Sequence, residues 1–148
     1  LKDCYEVHSI VRTDNRGSFI KTFHDYAFSE LGLSTNFKEE YYSTSKKNVI
    51  RGLHFQTPPE DHVKFVYCAE GSVMDVAVDL RKSSSTYGKF HIAMLEGQKG
   101  NMIYIPKDIH IYIENQYSYK YMYHFHLLFS LDWISNFLNN LYYSILFF

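Results

Sequence analysis

A chain of 148 residues is long enough to bury one good core and too short for two domains. Its 15 Lys and Arg against 16 Asp and Glu leave a net charge of -1, which excludes a global field for nucleic acid or an anionic membrane; a phosphate-bearing ligand needs a local basic pocket. With 46% hydrophobic and 21% charged residues the chain is not disordered, and two distant cysteines, Cys4 and Cys68, are neither a disulfide framework nor a zinc ribbon. A reducing, cytoplasmic setting is expected. Fourteen Tyr, 12 Phe and one Trp beside seven Gly and three Pro favour strands.

In chain order, Asp14-Asn15-Arg16-Gly17 is a turn leading into a strand from Ser18 to Phe23. A short helix is expected at Tyr26 to Leu31, ended by Gly32. Further strands follow at Asn48 to Phe55, Val63 to Ala69, Ser72 to Asp79, Phe90 to Leu95 and Asn101 to Ile105. Turn chemistry separates them at Thr57-Pro58-Pro59, Glu70-Gly71, Ser83 to Thr86, Gly97 to Gly100 and Pro106-Lys107-Asp108. Short strands spaced about 8–12 residues apart mean an all-β sandwich or barrel. The absence of a glycine-rich phosphate loop argues against a nucleotide fold of the Rossmann or P-loop type.

Composition changes near residue 116: residues 117–148 carry 12 aromatics and two charges, Lys120 and Asp132. Leu127, Leu131, Ile134, Leu138, Leu141, Ile145 and Phe148 form the apolar seam of an amphipathic helix, expected to pack on the sheet or on a second subunit. Asp132 and its neighbouring asparagines argue against a membrane span. The chain thus divides into residues 1–123 and a divergent aromatic tail, 124–148.

Arg51-Gly52-Leu53-His54-Phe55-Gln56 sets a permanent cation and a titratable base three residues apart on a strand. Odd spacing puts them on opposite faces unless Gly52 permits a twist or bulge. Lys64 is expected on the next strand as a cross-strand neighbour. Asp75 and Asp79 share one strand face, either buried as site carboxylates or turned outward; Asp79 to Lys82 also fits a solvated turn. His124 and His126 make half a metal site with no third or fourth ligand at a recognisable spacing. His8, His24, His62 and His91 read as isolated, and the alternating row of Tyr117, Tyr119, Tyr121 and Tyr123 as packing.

Arg16-Gly17-Ser18-Phe19, Ser43-Thr44-Ser45, Arg51 to Gln56, Lys64, Asp75-Val76-Ala77-Val78-Asp79-Leu80-Arg81-Lys82-Ser83-Ser84, Gly88 and Ile105-Pro106, in this order, resemble the dTDP-4-dehydrorhamnose 3,5-epimerase family. The resemblance implies a cupin-type jelly-roll barrel, a homodimer without metal or other cofactor, and a nucleotide-linked 4-keto-6-deoxy sugar as substrate in surface-polysaccharide biosynthesis. It implies His54 as the base, Tyr123 as the acid, Lys64 and Arg51 as enolate-stabilising cations, and Asp75 as the buried carboxylate of the site. His110, Gln56, Ser43 and Arg16 are implied as substrate-binding residues, Arg16 from the partner subunit. Glu39, Tyr41 and Lys21 depart from the family's Gln, Asn and Glu. The segment after Ile105-Pro106 is one residue shorter than the family's, and no counterpart of its C-terminal segment follows Tyr123. The expected activity is therefore epimerisation at C3, C5 or both; a sugar-nucleotide 3,4-ketoisomerase and an inactive sugar-nucleotide binder are the alternatives.

Overall fold

The computed structural model describes residues 1–37, 39–56, 59, 61–107, 109–115 and 122–123. Its elements are β1 (Tyr5–His8), β2 (Val11–Asp14), β3 (Gly17–Ile20), α1 (Asp25–Glu30), β4 (Tyr42–Ser43) and β5 (Ile50–His54), followed by β6 (Lys64–Cys68), β7 (Ser72–Asp79), β8 (Phe90–Glu96), β9 (Asn101–Ile105), β10 (Ile109–Asn115) and β11 (Met122–Tyr123). The all-β expectation holds, with one short helix near the N-terminus. The tail helix, His124, His126, the tyrosine row up to Tyr121 and Pro58 lie outside the described residues.

Strand alternation decides how the sheets stack. One sheet has the order β1-β9-β6-β11-β4 and the other β5-β10-β7-β8, all neighbours antiparallel. Val66 and Cys68 of β6, Val73 and Ala77 of β7, Ala93 and Leu95 of β8, and Ile103 and Ile105 of β9 meet between the sheets as one buried cluster. The alternate residues of β7, Met74, Val76 and Val78, pack with Leu53 in a separate cluster. On the outer side of the first sheet, α1 seats Phe28 against Phe65, ring centroids 4.9 Å apart, in a cluster with Met102 and Tyr104. His24 caps this helix through its Nδ1, which accepts from Ala27 N at 3.3 Å, and Gly32 ends it at φ +72.

Three expectations are corrected here. β5 and β6 are not ladder partners: β5 pairs with β10 and β6 with β9 and β11, so Lys64 lies in the opposite sheet from Arg51 and His54. Asp79 is no solvated turn residue. It is 0% exposed and accepts from Arg81 Nε and Nη2 at 2.9 and 2.8 Å and from Ser84 Oγ and Thr86 Oγ1, both at 2.6 Å. Burial pushes its carboxyl up, but the Arg81, Ser84 and Thr86 donors outweigh burial and hold it well below the usual range. Arg81 Nη2 also donates to Lys2 O at 2.7 Å, tying the N-terminus to this loop. Nor are His8 and His91 isolated: His91 Nε2 lies 2.7 Å from Glu6 Oε1 and His8 Nε2 3.7 Å from Glu6 Oε2, joining the edge strands β1 and β8.

Candidate active site

The ladder between β5 and β10 pairs Arg51 with Ile113, Gly52 with Tyr112 and His54 with Ile111, leaving Leu53 over as the extra residue of a bulge. Gly52 adopts φ +139, a conformation open to glycine. On its other side β10 pairs Ile113 with Asp75 and Ile111 with Ala77, both interior positions of β7. The bulge therefore shifts residues three apart into two adjacent interior rows, Arg51–Ile113–Asp75 and His54–Ile111–Ala77. A regular strand would have split them across the sheet.

The facing sheet contributes Lys64. It opens β6 opposite Ile105, on the side of Val66 and Cys68, and is 1% exposed. Asp75 is 0% exposed, and neither carboxylate oxygen has a hydrogen-bond partner among the described residues. Burial raises its carboxyl well above the usual range. Lysine and aspartate are rarely buried so completely unless paired, because removing their charged forms from water is costly. A carboxyl that takes up a proton also gains an O–H donor.

Arg51 is fixed by the segment after β4: its Nε donates to Ser45 Oγ at 2.8 Å and its Nη2 to Thr44 O at 3.0 Å. Ser43 shares a row with Met122 and Cys68, and its buried Oγ has no partner among the described residues. The same holds for Gln56 Oε1, two residues beyond His54. Gln56 lines a cavity of about 370 Å³ with Phe37, Glu39, Asp61, His62 and Lys107, where β5 ends and β6 begins. Asp61 and Lys107, which the sequence did not single out as a pair, form an ion pair at 3.1 Å beside it. Burial, with the nearby charge of Glu39, raises the Tyr41 hydroxyl above the ordinary phenol range.

Three further residues implied by the resemblance take these places in the fold. His110 pairs with Val78, in the row that faces away from the interior. Tyr123 pairs with Tyr67 and Tyr42, on the two-residue strand β11 between β6 and β4. Arg16 lies on the β2–β3 hairpin, which pairs with neither large sheet. Among the described residues no group of three metal-ligating side chains occurs, and no helix is long and apolar enough to cross a membrane.

A sequence model of the family described as dTDP-4-dehydrorhamnose 3,5-epimerase matches residues 1–132. The chain belongs to this family. The dTDP-4-dehydrorhamnose 3,5-epimerase of Salmonella typhimurium is 42% identical over 95 residues, which make up 64% of this chain and 52% of that protein. The chain thus spans about half the length of the curated relatives it matches. The crystal structure of the epimerase from Elizabethkingia anophelis superimposes with TM-score 0.75 at 36% identity, covering 83% of this chain and 67% of that one. A dTDP-6-deoxy-D-glucose-3,5-epimerase from Legionella pneumophila, solved with dTDP-4-keto-L-rhamnose, gives TM-score 0.78 at 29% identity over 85% of this chain and 70% of that one. The epimerase-family barrel expected from the motifs is therefore the fold that the chain shares with solved members.

Proposed function

We propose that the chain epimerises a dTDP-linked 4-keto-6-deoxy sugar at C3, C5 or both, with residues 1–123 forming the catalytic domain. The observation that supports this reading is the complete burial of Lys64 and Asp75 in two facing sheets, with Arg51 in the backbone row of Asp75 and His54 in the next row of the same sheet. The C4 ketone acidifies the neighbouring C–H bonds. His54 takes the proton, the bonding electrons move into the enolate, and Arg51 and Lys64 balance the charge developing on its oxygen. Asp75, whose carboxyl burial shifts toward the protonated form, offers a further donor when it carries the proton. Tyr123 returns a proton to the opposite face of the carbon, inverting it, and proton exchange with water resets both groups. The exposed Arg16 hairpin suits a homodimer in which it reaches the partner's nucleotide. The reaction is placed in the cytoplasm, in the making of surface-polysaccharide sugars.

Incubation with dTDP-4-keto-6-deoxyglucose, followed by NMR of the product, tests the reading. Inverted C3 or C5 with the carbonyl still at C4 supports it; a carbonyl at C3 identifies a ketoisomerase instead, and dTDP binding without turnover identifies an inactive binder.

A further inference from the structure

Arg16 is 85% exposed in its side chain, and one carboxylate gathers its hydrogen bonds. Its Nε donates to Asp14 Oδ1 and Oδ2 at 3.3 and 3.1 Å, its Nη2 to Oδ2 at 2.6 Å, and its backbone N to Oδ1 at 2.8 Å. Asp14 pairs with Gly17 across the end of the hairpin, so one carboxylate closes the turn and holds the cation. The Arg16 hydrogen bonds lower the Asp14 carboxyl below its usual range, and those to Asp14 raise the guanidinium.

The geometry of the pair decides what it can do. Of the five N–H groups of a guanidinium, Asp14 occupies the side carrying Nε and one hydrogen of Nη2. The end-on fork, one hydrogen from each terminal nitrogen, stays open, and this fork matches two oxygens of a phosphate. Arg12 and Phe19 line the same concave surface of the hairpin as Asp14 and Arg16. An exposed ion pair contributes little to folding and more to binding, where an arginine already paired in its binding orientation loses less rotamer freedom.

We infer that Asp14 is a positioning residue that presets Arg16 to grip a phosphate of the nucleotide. This rests on the proposed reading that Arg16 meets the nucleotide. The test is calorimetric binding of dTDP to the full chain, with thermal unfolding of each variant. Arg16→Ala is expected to weaken binding about tenfold and Asp14→Asn about fivefold, with Asp14→Asn having no further effect once Arg16 is alanine. Melting of Asp14→Asn is expected to stay with the parent, since asparagine can still accept from the turn. Binding by Asp14→Asn equal to or tighter than the parent, with Arg16→Ala weak, would overturn the inference alone. A loss on Asp14→Asn that persists in the Arg16→Ala background, or that comes with a lowered melting temperature, also overturns it. Undiminished binding by Arg16→Ala removes the role of Arg16 and this inference with it.

Discussion

Arg51 and Asp75 stand in one row of the four-stranded sheet, each opposite Ile113, one on its left and one on its right. That alignment coexists with an interior position for His54 because Leu53 is the extra residue of a bulge, and Gly52 carries the φ of +139 that goes with it. Gly52→Ala forces a side chain into this conformation, at a cost of about 1–3 kcal/mol. Denaturant unfolding should show that loss, and kcat/KM on the 4-keto sugar nucleotide should fall with it. Parent-like values for both would mean that the bulge does not set the site.

Asp75 sets stability against function. Its folded-state pKa is raised, so ionisation opposes folding, and its contribution to stability falls as pH rises above the unfolded value of about 3.9 toward the folded one. Asp75→Asn removes that ionisation. At pH 8 the variant should match or exceed the parent by about 1–2 kcal/mol while losing most of its activity. Unfolding curves at pH 5 and pH 8 check this: the excess should grow with pH, and destabilisation at pH 8 would contradict it.

Asp79 behaves in the opposite sense. Its folded-state pKa is depressed, so its stabilisation is present above about pH 3.9 and is lost as pH falls below that value. Arg81→Ala leaves a buried carboxylate without its cation, a change that costs about 3–5 kcal/mol for buried pairs. Chemical unfolding at neutral pH measures it. A loss under about 1 kcal/mol would mean that the Ser84 and Thr86 hydroxyls suffice on their own.

Legibility in the sequence followed patterning. β7 and β9 end where the sequence places them, because apolar runs are bounded by Glu70-Gly71 on one side of β7 and by Gly100 and Pro106 around β9. β1 and β2 have mostly exposed residues, so their alternation carries little hydrophobic contrast, and β4 and β11 are two residues each. β10 alternates in Ile109, Ile111 and Ile113, but it follows directly on the Pro106-Lys107-Asp108 turn residues, which mask its start in the sequence. Pairing Lys64 with the Arg51 strand assumed that consecutive strands are neighbours, which holds about two-thirds of the time and fails in this two-sheet topology. Asp75 was recognisable as a candidate from its place among valines and an alanine. Its burial, and the bulge that puts Arg51 in its row and His54 in the next, depend on the register of β10, which no local pattern encodes.

The central claim is that His54 removes a proton beside a C4 ketone, and its most direct test is exchange with solvent. The protein is incubated in deuterium oxide with dTDP-4-keto-6-deoxyglucose, and deuterium at C3 and C5 is followed by NMR for the parent, Tyr123→Phe and His54→Asn. The account predicts incorporation at one or both carbons by the parent and a loss of about 10²–10⁴-fold in His54→Asn, the range for removing a general base. Tyr123→Phe should keep exchange but lose inversion, if Tyr123 supplies the proton on the other face. Exchange by His54→Asn within a few-fold of an active parent, or no exchange by the parent between pH 6 and 9, would contradict the account.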